Sequence, residues 1–459
     1  PVSKLIESIF EEAVQLDASD IHIEPDRDVL RIRLRVDGVL QEQVMNEKKI
    51  ISPLILRLKL MSKLNISEKR IPQDGRFTIT IHEKRFDVRV STMPVQYGES
   101  MVMRLLPQTG NVSSLDSLDM PPETLKLLKH HITRPHGMVL VTGPTGSGKS
   151  TTLYACLAEL NSPENKIITV EDPVEYQLPR ISQVQVQTKI DLTFARVLRA
   201  CLRQDPDVLM VGEIRDDETA EIALRAALTG HMVLSTLHTN DAVSAPVRLV
   251  DMGIEPFLVA SALHLVIAQR LVRKICAHCV EDYTPTDSEN ILIKGLMKKE
   301  LTGYTFKKGR GCAQCNKTGY KGRIGVYELL EFDQELSDIL RTGDTQKFVA
   351  TARQRPNYKS LGQLAFEYAA QGKTTLEEVI HTAGDLESEQ PIMLNPVLPP
   401  EEQPIAPPTV PEIPTPPPAP EIPAPIVASE ISAAPSTPAA PVVPTPPVSD
   451  DTKPTGSNS

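Results

Sequence analysis

The chain opens on a helical stripe, with Leu5, Ile6, Ile9, Phe10, Ala13 and Val14 recurring every three to four positions. From Ile21 the period drops to two. Ile21-His-Ile23 and Leu30-Arg-Ile-Arg-Leu-Arg-Val36 alternate apolar and polar residues as half-buried strands do, and Asp37-Gly38 supplies a hairpin turn between strands. Residues 48–64 return to helical spacing, and 76–82, 85–92 and 101–106 again alternate. This pattern predicts a small α+β domain over residues 1–106, left through a linker at 107–114 that contains Pro107 and Gly110.

From about residue 115 the strands change character. Gly137–Thr142, Lys166–Val170, Val208–Val211 and Met232–Leu237 are largely apolar without alternation, with helical sequence between them. Evenly apolar strands joined by helices predict a parallel sheet covered on both faces, hence an α/β domain over 115–387. Within it, 273–325 is rich in cysteine and glycine, and 333–385 is helical in period. Beyond 388 the pattern stops. The last 69 residues hold 22 of the 40 prolines, seven acidic side chains and one basic one, which predicts a disordered, partly polyproline II tail. That tail carries most of the formal net charge of −10, so the two domains are close to neutral.

No apolar run reaches the ~18–20 residues of a membrane-crossing helix and no signal peptide opens the chain, so a soluble, cytoplasmic protein is expected. Pro1 is not a translation start, and an upstream segment is expected to precede it. Cys156 and Cys201 stand alone among apolar residues and read as small buried hydrophobes. The other four cysteines are paired as Cys276-Ala-His-Cys279 and Cys312-Ala-Gln-Cys315. Two such pairs some thirty residues apart point to a structural Zn²⁺ held by four thiolates, with reduced or redox-active thiols as the alternative. His278 offers a further ligand that four thiolates leave unneeded.

The chemistry is concentrated at Gly143, Pro144, Thr145, Gly146, Ser147, Gly148, Lys149 and Ser150, followed by Thr151. This is the full phosphate-binding loop pattern, set after an apolar strand and before a helix. Small residues let backbone N–H groups converge on phosphate oxygens at the positive helix end. Lys149 is expected to bridge β- and γ-phosphates, and Ser150 to ligate Mg²⁺. Two strands then end in acids suited to hold the metal or align water: Glu213 after Val208–Val211, and Glu171 in Val170-Glu-Asp-Pro-Val-Glu175. Asp172 and Glu175 read equally as turn or capping residues. His238 closes another strand, as a phosphate sensor or as a structural residue.

Taken together, Val141–Ser150, Val170–Tyr176, Leu202–Asp207 with Val211–Arg215, and Thr229–His231 with Ser235–Asn240 resemble the secretion-superfamily ATPases, the motors of type II secretion and type IV pili. The likeness extends to Ala18–Pro25, Arg35–Gly38, Gln73–Arg76 and Thr374–Glu378, so it covers about residues 1–385. The four cysteines are similar to those of assembly and secretion members; retraction motors lack them. Leu178–Val186 and Tyr368–Gly372 look most like the ATPases of mannose-sensitive haemagglutinin (MSHA) pili.

The resemblance implies a PAS-like small domain ahead of a RecA-like ATPase domain. It implies a homo-hexameric ring driven by ATP and Mg²⁺, bound peripherally at the bacterial inner membrane through a platform protein. Family arginines that reach a nucleotide fall here on Arg89 and Arg104 of the small domain, and on the pair Arg199 and Arg203. The family's further N-terminal domain, which docks on the platform or binds cyclic di-GMP, has no counterpart in these residues, and the proline-rich tail is no part of the family pattern. A RecA-like nucleic-acid motor is the competing enzyme class; the absence of tryptophan and only 4% aromatics weigh against it, and no nucleic-acid partner is expected. A zinc-stapled nucleotide-binding scaffold without turnover is the non-enzymatic reading, and the two strand-end glutamates weigh against that.

Overall fold

A computed structural model of the chain describes residues 2–46, 48–108, 114–297 and 303–387. The tail from 388, expected to be disordered, and residues 109–113 of the expected linker lie outside the described residues.

The amphipathic stripe forms α1 (Val2–Gln15), which buries Ile6, Ile9, Phe10 and Ala13. It is followed by β1 (Asp20–Pro25), β2 (Leu30–Val36), β3 (Val39–Met45), α2 (Lys48–Met61), β4 (Gln73–Ile81), β5 (Lys84–Val95) and β6 (Gly98–Pro107). The strands form an antiparallel sheet in the order β3-β2-β1-β6-β5-β4, two meanders joined at β1 and β6. Asp37 (φ 49) and Gly38 (φ 88) are both left-handed, as the tight turn between β2 and β3 requires. Ile21, Ile23, Met101 and Met103 of the central strands pack with α1 and with Leu54 and Leu58 of α2. The alternating pattern did not single out β3, because none of its residues is buried and neither face is apolar.

The second part runs α3 (Pro122–Ile132), β7 (Gly137–Thr142), α4 (Lys149–Leu160), β8 (Ile167–Glu171), β9 (Ser182–Gln185), α5 (Phe194–Cys201), β10 (Val208–Val211), α6 (Asp217–Leu228) and β11 (Met232–Leu237). It continues with α7 (Ser244–Asp251), α8 (Pro256–Ala262), β12 (Leu263–Ile275), β13 (Val280–Tyr283), α9 (Asp287–Met297), β14 (Phe306–Gly309), β15 (Tyr320–Glu331), α10 (Gln334–Arg341), α11 (Thr345–Arg353), α12 (Leu361–Ala370) and α13 (Leu376–Glu387). The sheet order is β15-β12-β7-β11-β10-β8-β9. Every residue of β7, β8, β10 and β11 is buried, which is why these runs are apolar without alternation. Along β7 the faces still alternate: Met138 and Leu140 join the core under α5–α8, and Val139 and Val141 the core under α3 and α4.

The four apolar strands pair in parallel, as expected of them, and the sheet extends beyond them on both sides. From β12 to β9 the pairings are parallel, but β15 lies antiparallel to β12 over most of its length. The cysteine segment leaves the end of β12 and returns to the same end, with Ile275 opposite Tyr320, and a chain that returns to the end it left runs back antiparallel. Cys156 and Cys201 are buried as expected, and burial pushes the Cys156 thiol up to about 12.

Candidate nucleotide site and cysteine cluster

The phosphate loop joins β7 to α4. Gly143, Gly146 and Gly148 all have positive φ, so the turn uses conformations that side chains resist. Two of these glycines are also required by close packing. A Cβ on Gly143 would meet the carbonyl oxygen of Gln269 at 2.4 Å, and one on Gly148 would meet Gln269 Nε2 at 2.7 Å. Gln269 of β12 holds the loop from beneath, donating to the Ser147 carbonyl (2.8 Å) and accepting from Thr152 Oγ1 (2.7 Å). Pro144 is half-buried, while Thr145, Gly146, Ser150 and Thr151 face outward. Ser147 Oγ is buried without a partner among the described residues.

Lys149, at the first turn of α4, is buried, and its ammonium donates to the carbonyls of Gly143 (2.7 Å) and Pro144 (3.0 Å). Burial pushes its pKa down to about 8, with Arg270 adding to the fall and the Glu213 carboxylate opposing it. A pocket of about 190 Å³ opens beside the loop, walled by Pro144–Ser147, by Arg270 and Leu271 of β12, and by Glu378, His381 and Thr382 of α13. Glu378 is fixed there by Arg273, through its backbone N–H (2.8 Å) and guanidinium (2.6 Å).

Glu171, Glu213 and His238 all fall at carboxyl ends of parallel strands, His238 after β11 next to the loop's own strand, Glu213 after β10 and Glu171 on β8 farther along the sheet, and their surroundings differ. Glu213 is half-buried, bonded to Arg215, and lies 3.3 Å from His238 Nε2. Its carboxylate acts electrostatically on Lys149, favouring the charged ammonium. Glu171 is buried, and its oxygens accept from Tyr154, Thr169 and Gln183. Asp172 lies 3.7 Å from Arg215, and Glu175 lies 3.2 Å from Arg89.

The arginines divide likewise. Arg89 and Arg104 stand directly opposite on β5 and β6, which puts both side chains on one face of the small sheet. Arg89 reaches across to the second part of its own chain, at the Val174 carbonyl (3.1 Å) and Glu175. Arg104 is held at its base by Asp20 (2.9 Å) and is 59% exposed. Arg199 bonds Glu218 of α6 and Arg203 donates to the Arg199 carbonyl (2.8 Å); neither bonds the phosphate loop among the described residues.

The four paired cysteines come together. Their sulfurs lie within 4.8 Å of one another, and those of Cys276–Cys312, Cys279–Cys315 and Cys312–Cys315 are 3.9, 3.8 and 3.7 Å apart. A tetrahedron with ~2.3 Å metal–sulfur bonds has edges of about 3.8 Å, so the cluster fits one tetrahedral ion. Backbone N–H groups of Cys312 (3.2 Å) and Gly319 (3.3 Å) point at the Cys315 sulfur, the arrangement that favours a thiolate. Gly309 and Gly319 pack back to back, and a Cβ on Gly309 would lie 2.1 Å from the Gly319 carbonyl oxygen.

The sequence profile described as "Type II/IV secretion system protein" matches residues 1–381. The chain belongs to that family. It is 50% identical over 380 residues to the type II secretion system ATPase E of Vibrio cholerae serotype O1, covering 83% of this chain and 75% of that relative. It is 48% identical over 385 residues to the type II secretion system protein HxcR of Pseudomonas aeruginosa, covering 84% and 78%. In three dimensions it is similar to the pilus retraction motor PilT with bound ADP, with a TM-score of 0.55 and 28% identity over 83% of this chain and 98% of that one. The family is one of secretion ATPases with this α/β fold, which makes ATP hydrolysis the family activity. No described helix is long and apolar enough to cross a membrane.

Nothing in the sequence patterns singled out Gln269 or Arg270, and α13 was marked only by its helical period and the likeness at Thr374–Glu378. Gln269 and Arg270 sit inside an otherwise apolar strand, and two polar residues interrupting such a run were the available signal.

Proposed function

We propose that this chain is one subunit of a hexameric motor that hydrolyses Mg-ATP and drives the assembly of pilin subunits at the bacterial inner membrane. The observation that carries the reading is the shared placement of Lys149, Glu213 and His238 at the carboxyl ends of adjoining parallel strands, where a doubly wound sheet binds its ligand. The glycine cradle, the desolvated Lys149 and the outward-facing Ser150 and Thr151 fit a polyphosphate and its cation. Gly143–Gly148 bind phosphate through backbone N–H groups, Lys149 neutralises the β,γ-bridge, and Ser150 supplies a hydroxyl to Mg²⁺. Mg²⁺, when bound, neutralises charge on the phosphate oxygens. Glu213 is the acid that holds the metal side and aligns water, with His238 steadying it. Glu171, already accepting three hydrogen bonds, serves as a support instead.

Arg104 completes a neighbour's site in the ring, Arg89 ties the small domain to its own ATPase domain, and Arg199 and Arg203 act at a subunit surface. Zn²⁺ held by Cys276, Cys279, Cys312 and Cys315 is a staple. The machine's partner is a membrane-embedded platform protein, and the chain works as a cytoplasmic, peripheral component.

Leu178–Val186 and Tyr368–Gly372 support the pilus reading, and within it an MSHA-type system. The names of the Vibrio and Pseudomonas relatives favour the second reading, type II secretion. A deletion strain complemented with this chain separates them: recovery of surface pili supports the first, and recovery of an exported enzyme the second. For the motor itself, Mg²⁺-dependent phosphate release is expected to fall at least ~100-fold in Glu213→Gln. Wild-type turnover in that variant would end the assignment.

A further inference from the structure

β15 carries a carboxylate with no counter-charge. Glu328 stands opposite Ala268 of β12 and is fully buried. Burial first, and then the like charge of Asp241, push its pKa up to about 7. The nearby guanidinium of Arg353 is spent on Asp241 (2.9 Å), and Glu328 has no ion pair among the described residues. A buried carboxylate without a cation persists only where donors converge on it. Three do: the backbone N–H of Ala242 (2.8 Å), the phenol of Tyr358 (2.9 Å) and the backbone N–H of Leu361 (3.0 Å). They come from the loop after β11, from the turn before α12, and from the first residue of α12.

The loop after β11 is the one that carries His238 to Glu213. At its near end Thr142, the last residue before the phosphate loop, donates to the Leu237 carbonyl (3.0 Å) and accepts from the Thr239 N–H (2.9 Å). In its middle Asn240 accepts from Arg270 (3.0 Å), the arginine that walls the pocket. At its far end Ala242 is anchored by Glu328. Two strands, β7 and β15, thus pin the loop at its two ends.

We infer that Glu328 is a positioning residue for hydrolysis: by anchoring Ala242 it sets the loop that presents His238 to Glu213, and by accepting from Leu361 and Tyr358 it ties that loop to α12. The inference rests on the ATPase reading above. All three partners are donors, so the site is matched to a carboxylate. An amide would turn an N–H₂ group toward one of them and leave that donor unsatisfied.

The test is a double-mutant cycle in the full chain, with kcat and KM for Mg-ATP measured at pH 8 beside melting temperatures. Glu328→Gln is expected to lower kcat about ten-fold or more, with KM changed less than about three-fold, the split expected of a residue that acts on the reacting arrangement. Tyr358→Phe removes one donor and keeps the carboxylate, and is expected to lower kcat about two- to five-fold. On a His238→Ala background both effects should shrink below about two-fold, because the group they position is gone. Losses that multiply across the cycle, or a lowered melting temperature with kcat intact, overturn the inference. If Glu328→Gln does not fold, the Tyr358→Phe cycle decides alone. A wild-type chain without Mg²⁺-dependent turnover would instead defeat the ATPase reading and this inference with it, and a Glu213→Gln variant as active as wild type would remove the acid that the loop is said to serve; multiplied losses defeat only the role of Glu328.

Discussion

Lys149 is the residue whose charge state the fold controls most directly. Its pKa is lowered to about 8, so the folded chain binds fewer protons there than the unfolded chain between about pH 8 and the ordinary lysine value of 10.5. The cost of burying the ammonium is therefore borne in full below pH 8 and relieved as pH rises through that window. A polyphosphate arriving beside Lys149 favours the charged form and pulls the proton back. Nucleotide binding is accordingly expected to take up close to one proton at pH 9 and almost none at pH 7. Calorimetry in buffers of different ionisation enthalpy reads this directly, and Lys149→Met should bind at least ~10-fold more weakly with no uptake at either pH; equal uptake at both pH values would show that Lys149 is not the group being recharged. Lys149 was legible from its motif, since spacing within nine residues is enough to define a phosphate cradle. Gln269 and Glu328 were not, because what marks them is the set of donors and acceptors around them. Those come from segments 30 to 122 residues away, and no local pattern records them.

At the level of elements, the legible parts were those with a buried face or two. α1, β1 and β2 declare their period, and β7, β8, β10 and β11 their uniform burial. β12 and β15 were hidden for a different reason: His264, Gln269 and Arg270 interrupt the apolar run of β12, and β15 begins inside the cysteine segment. The structure makes the module a clasp for those strands. Cys276 follows β12 and donates its N–H to the carbonyl of Gly319 (2.9 Å), which precedes β15. Holding the ends of this antiparallel pair matters to the nucleotide site, because Gln269 and Arg270 lie on β12 and Glu328 on β15. Cys312→Ser is expected to lose a stoichiometric metal, read by elemental analysis, and to become protease-sensitive between 276 and 319. A melting temperature lower by about 2–8 °C, the shift that ~1–2 kcal/mol gives in a domain of this size, should accompany the loss. A purified wild-type chain without bound metal would remove the clasp from the account, leaving the cysteines as packed thiols.

Across the whole molecule the question is where the small domain belongs. Within one chain it touches the ATPase part at the β2–β3 turn, where Asp37 accepts from the Gly322 N–H (2.8 Å) and Gln41 accepts from Asn316 (2.6 Å), and at Arg89. Among the described residues Arg104 makes no such contact; its guanidinium is anchored by Asp20 and is 59% exposed. A ring built from head-to-tail interfaces would give each Arg104 to the next subunit's nucleotide, and this predicts complementation between two dead variants. Arg104→Ala and Glu213→Gln subunits should each be inactive alone. Mixed one to one, a site is competent when an Arg104→Ala subunit, with its intact Glu213, receives Arg104 from a Glu213→Gln neighbour. Random assembly places that order at about a quarter of the interfaces, so about a quarter of wild-type phosphate release should return if sites act independently. The same mixture diluted until light scattering shows monomers should lose it again. If Arg104 serves its own chain, every mixed subunit lacks one of the two groups and no activity returns at any ratio. Mixing thus separates assembly through Arg104 from a small domain that merely packs on its own ATPase domain.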